Sequence, residues 1–115
     1  MIYEPDTVMR QIYAFGEFLR NLKEKLAQGE KKDADIAVSQ AYIVDVGISE
    51  MMVNFMSAEE IVEYINHTGE NWAKIALCAR LIEEMSGDTQ KARGLMQACR
   101  ENIDDDMKKL DFFSL

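Results

Sequence analysis

Few residues in this chain have the type and spacing for chemistry. His67, the sole histidine, stands four residues after Glu63, which places both side chains on one helical face. Such a pair could share a metal ion. A zinc site needs three or four ligands, however, and a di-iron bundle needs two Glu-x-x-His repeats. One histidine satisfies neither requirement, so His67 reads as a solvated side chain at a helix end. Asp104, Asp105 and Asp106, with Glu101, form the densest group of carboxylates. An EF-hand wants Asp-x-Asp-x-Asp-Gly on a loop, and three consecutive helical residues point in different directions. The cluster therefore reads as a solvated face, eased by Lys108 and Lys109. Arg80 and Lys74 interrupt an otherwise apolar stretch, where their stems can lie along apolar neighbours. The competing reading is a buried Arg80 that holds an acidic ligand. There is no Gly-rich phosphate loop, no Gly-x-Ser-x-Gly and no nucleophile with an evident base. No cofactor, metal site or enzymatic activity is expected.

Cys78 and Cys99 are the only cysteines, and both sit among apolar residues. They read as two buried free thiols in a reducing cytosol rather than a disulfide. Eight methionines in 115 residues are many. Met51, Met52, Phe55 and Met56 crowd one short stretch. Thioether side chains fill irregular cores and also suit adaptable contact surfaces. Phe112, Phe113 and Leu115 crowd the end of the chain, where they dock either on the chain's own helices or on a second subunit. Met51, Met52, Phe55, Met56, Phe112 and Phe113 are the candidate interface residues.

These groups must be positioned by helices. Residues 71–100 read as two helices joined at Ser86-Gly87-Asp88-Thr89. The first is apolar nearly all round, with Trp72, Ile75, Leu77, Cys78, Leu81 and Ile82, and belongs in the middle of the fold. The second carries one stripe, Ala92, Leu95, Met96, Cys99 and Ile103, and is expected to continue to Met107 or Leu110. Upstream, Pro5 and Asp6 suit a helix start. Val8, Met9, Ile12, Phe15, Leu19, Leu22 and Leu26 then recur at three- and four-residue steps, and Gly29 is a natural terminator. Gly16 inside this helix either permits a close crossing or has no special role. After a charged connector, Ala37, Ala41, Val44, Ile48, Met51 and Phe55 keep phase for five turns, which favours one long helix across Gly47. Ser57-Ala58-Glu59-Glu60 is a capping box, opening a short helix with Ile61, Val62 and Ile65 that stops near His67-Thr68-Gly69. No stretch alternates with period two. The fold class is all-α, about five helices in an up-and-down bundle or a short tetratricopeptide-like array, in one domain spanning residues 1–115.

Composition narrows the function classes. The net charge is −8, and hydrophobic residues make up 48% of the chain. Nucleic-acid affinity comes mainly from cations neutralising phosphates, so an acidic chain is a poor candidate for it, and equally for an anionic membrane. No apolar run approaches the roughly 20 residues of a membrane span. The opening MIYEPD lacks the basic and apolar regions of a signal peptide.

The opening Glu4-Pro5-Asp6-Thr7-Val8-Met9-Arg10-Gln11-Ile12 resembles the start of a family of small uncharacterised all-helical bacterial proteins, common in Firmicutes, with tetratricopeptide-like helix pairs. The pair at residues 71–100 is similar in layout, although small residues and proline do not recur at a 34-residue period. The resemblance implies a cytoplasmic bacterial protein. The residues themselves leave three readings. A non-enzymatic protein-interaction module, most simply a homodimer, comes first. A small-ligand or metal sensor using Arg80, His67 or Asp104–Asp106 comes second, and an unrecognised enzyme third.

Overall fold

The computed structural model of the chain describes residues 5–85 and 87–114. The lead-in at residues 1–4, the turn residue Ser86 and the terminal Leu115 lie outside the described residues. Seven α-helices occur among those described, with no strand. They are α1 (Pro5–Ala27), α2 (Lys31–Ala41), α3 (Glu50–Phe55), α4 (Ala58–Ile65), α5 (Trp72–Met85), α6 (Thr89–Asn102) and α7 (Asp105–Lys108). The fold is all-α, as the periodicity predicts. Seven helices stand where five are expected because two of the expected ones are divided.

The organising element is α5. Eight of its fourteen residues are buried, among them Ile75, Leu77, Cys78, Leu81 and Ile82, so it has no solvent-facing stripe. It touches α1, α4, α6 and the turn that follows α2. Trp72, expected in the core, lies only half-buried at the start of α5, and its indole N–H donates to Glu70 Oε2 at 3.4 Å. The amphipathic α1 lays Ile12, Phe15, Leu19 and Leu22 on this core. A Cβ built on Gly16 would meet nothing within 4 Å, so no close helix crossing depends on that glycine.

The first division falls at the end of α2. Residues Tyr42–Val46 form a π-helical turn, and both Gly47 N–H and Ile48 N–H donate to the Tyr42 carbonyl, at 2.7 and 3.1 Å. Gly47 takes φ +89°, a conformation that glycine adopts without the Cβ penalty. Ser49 then caps α3 by accepting from the Met52 N–H at 3.3 Å. The expected single helix across Gly47 is thus two. A π turn holds an extra residue and rotates everything after it relative to an α-helical count. The buried set is Ala34, Val38, Ala41, Tyr42, Val46, Ile48 and Val53. The expected stripe fails at Val44, Met51 and Phe55, all of which face solvent.

The second division falls at Ile103. Asp104 accepts from the Met107 N–H at 2.9 Å and starts α7 as a separate helix. The chain then turns back through a 3-10 turn at Asp111–Phe113 that buries both phenylalanines. Phe112 and Phe113, candidate interface residues on sequence grounds, are therefore part of the chain's own core. Their rings pack edge to face at 5.2 Å, and Phe112 lies 6.2 Å from Phe15 of α1.

Candidate functional site

The capping box is formed as the sequence predicts. Ser57 Oγ accepts from the Glu60 N–H at 3.1 Å, and Glu60 Oε1 accepts from the Ser57 N–H at 3.0 Å. The backbone N–H of Ser57, more than its hydroxyl, holds the Glu60 carboxyl below its ordinary pKa, because these bonds favour the charged form. At the other end of α4, Asn66–Thr68 form a 3-10 turn. Asn66 Oδ1 accepts from the Asn71 N–H at 2.9 Å, and Asn71 Oδ1 accepts from the Lys74 N–H at 3.0 Å. These two asparagines tie the turn carrying His67 to the first turn of α5.

The result is an open cleft of about 730 Å³, walled by Glu60, Glu63, Tyr64, His67 and Lys74 over a floor that includes Val46, Met56 and Ile65. The structure thus brings His67 and Glu63 to one cleft, as their spacing implies. No group of three or more potential metal-ligating side chains occurs among the described residues. Arg80 is elsewhere. Its guanidinium donates to the carbonyls of Asp111 and Phe112, the latter at 3.2 Å, so its charge holds the 3-10 turn at Asp111–Phe113. Arg100 does the same, donating to the carbonyls of Lys108 at 3.0 Å and Phe113 at 3.2 Å. Asp104, Asp105 and Asp106 are exposed and form the cap and first turn of α7. Lys108 pairs with Asp105 at 3.3 Å and Lys109 with Asp106 at 3.9 Å.

Cys78 and Cys99 are free and buried. The Cys99 thiol donates to the Trp72 carbonyl at 3.4 Å. Burial pushes each thiol up to about 12, since a thiolate would lose its hydration. The raised value stabilises the folded state fully below the unfolded thiol range near 9, and that contribution is lost as pH rises toward 12. At pH 8 the native thiols are expected to react with an aromatic disulfide reagent at least a hundredfold more slowly than in denaturant. Equal rates would show that they are accessible thiolates.

Five of the eight large apolar side chains exposed among the described residues lie on α3 and the π turn. Val53 is the only buried side chain of α3. Met51, Met52 and Phe55 are 69, 53 and 83% exposed, and Ile43 and Val44 of the π turn are 64 and 76% exposed. Met56, the sixth candidate interface residue, is half-buried and packs against the core. Steps of three and four residues put Met51, Met52 and Phe55 on one side of the helix. The Ser39 hydroxyl of α2 donates to Glu50 Oε2 at 3.5 Å, which sets the start of α3 beside α2. The far end of α3 is held from α6, where Lys91 Nζ donates to the carbonyls of Val53 at 3.0 Å and Asn54 at 3.4 Å. Met56, next to Phe55 in the chain, also lines the cleft.

Charge is segregated on the same part of the chain. Residues 33–73 hold eight of the 21 carboxylates and none of the 13 lysines and arginines. The other 13 carboxylates balance those 13 cations, so the whole net charge of −8 belongs to this segment. No described helix is long and apolar enough to cross a membrane. Comparison with known protein families, curated proteins and solved structures finds no match to this chain.

Proposed function

We propose that the chain is a non-enzymatic protein-interaction module that docks protein on the apolar face of α3 and the π turn. The observation that carries this reading is the exposure of Met51, Met52 and Phe55 on a helix fixed at both ends, by Ser49 and by Lys91. Scattered surface apolar residues are ordinary, but contiguous ones mark contacts. A fraying segment would bury such side chains transiently, whereas a capped and clamped helix holds them in solvent. Light scattering at micromolar concentration measures whether the docked protein is a second copy, a closed two-fold pair being the commonest form of self-association. Helical peptides selected from an unbiased library provide the wider test, scored against the Met52→Ser, Phe55→Ser double variant. Both sites are exposed, so the variant is expected to keep wild-type stability within about 0.5 kcal/mol. Peptides that lose binding to it by tenfold or more support the reading. A library whose binders ignore the double substitution, with a wild-type mass that is monomeric, overturns it.

A further inference from the structure

The charge and the apolar face together specify an occupant. We propose that the surface takes a basic amphipathic helix, whose apolar stripe seats on Met51, Met52 and Phe55 while its lysines and arginines meet the surrounding carboxylates. The inference rests on α3 being a docking face and adds the chemistry of its partner.

Carboxylates stand next in sequence to the exposed apolar residues. Asp35 precedes Ile36, Asp45 follows Val44, Glu50 precedes Met51, and Glu60 and Glu63 wall the cleft that continues from Met56. Lys32 stands one helical turn before Ile36 on α2. Lys91 is spent on the carbonyls that end α3, and Lys74 is on the cleft wall beyond α4. None of these belongs to residues 33–73, which carry eight carboxylates and no lysine or arginine. The capping box lowers the pKa of the Glu60 carboxyl, which favours its charged form.

The same charges weigh against the other occupants. A second copy would bring two segments of charge −8 face to face, and juxtaposed like charge disfavours a partner. Nucleic acid and anionic lipid fail for the same reason. An uncharged apolar helix would leave the carboxylates partly desolvated with nothing opposite them. Methionine side chains suit a helix stripe of variable detail, being unbranched and polarizable, and a helix in an apolar seat is a recurring recognition mode.

The test uses the full chain and three eighteen-residue peptides: an amphipathic leucine–lysine helix, its scrambled isomer, and the leucine–glutamate counterpart. Titration calorimetry at 50 mM and 500 mM salt reads the affinities. The amphipathic basic peptide is expected to bind at least tenfold more tightly than either control. Phe55→Ser should weaken it at least tenfold, and Asp45→Asn with Glu50→Gln should weaken it mainly at low salt, where screening is least. Equal binding of the scrambled isomer would mean charge alone attracts it and would overturn the proposal. Tighter binding of the leucine–glutamate peptide, or a stable dimer that Phe55→Ser dissociates, would overturn the basic partner while leaving α3 as the docking face. Loss of neither peptide nor self-association on Phe55→Ser would remove that face as well.

Discussion

Phe113→Ala is expected to cost about 3–5 kcal/mol of folding stability, the range for removing a fully buried aromatic ring. Nothing of Phe113 reaches solvent, although it stands two residues from the end of the sequence. The segment around it is tied at four carbonyls. Arg80 holds those of Asp111 and Phe112, and Arg100 holds those of Lys108 and Phe113. The bonds orient the turn, and the two rings fill the space it covers, with Phe112 reaching Phe15 on α1. A domain of this size has roughly 5–15 kcal/mol in all, so the variant should melt more than about 10 °C below wild type. Its mass in solution should be that of wild type. A normal melting temperature combined with an altered mass would return the two phenylalanines to an intersubunit contact.

Leu81→Ala should cost about 2–5 kcal/mol. Leu81 is completely buried on α5, and α5 is enclosed by α1, α4, α6 and the π turn. A site hemmed in from several directions collapses poorly around a lost side chain, which favours the upper part of the range. Val44→Ser is the matched control, since Val44 stood with Ala41 and Ile48 in the apparent stripe but is 76% exposed. It should change stability by no more than about 0.5 kcal/mol. Urea unfolding of the pair separates the two positions. Similar losses at both would mean that the chain after α2 keeps α-helical phase and that the π turn is not formed.

Some of this was legible because its physics is local. The start and stop of α1, the capping box at Ser57 and the all-round apolar α5 rest on residues within one or two helical turns of each other. Their buried or capped state follows from composition alone. The break at Gly47 also had a local signal, a glycine followed by Ser49 and Glu50 in the order of a helix end and a new cap. The apparent stripe from Ala37 to Phe55 concealed it, because large apolar residues occupied the positions an unbroken helix would bury. Asp104-Asp105-Asp106 carried the same kind of signal, a cap with acids in the first turn, and it was masked by reading the acids as a face.

The sequence by itself determined which segments are helical, which helix is central, and that the charge is acidic. It could not determine which apolar residues are covered. That depends on groups distant along the chain: Arg80 meets Phe112 across 32 residues, and Lys91 meets Val53 across 38. Phe113 and Phe55 have the same side chain and similarly apolar neighbours, yet one is sealed in the core and the other is 83% exposed. Helical propensity and capping act over a few residues, while burial is decided by whatever surface the rest of the fold brings opposite, so only the tertiary structure separates the core ring from the free one.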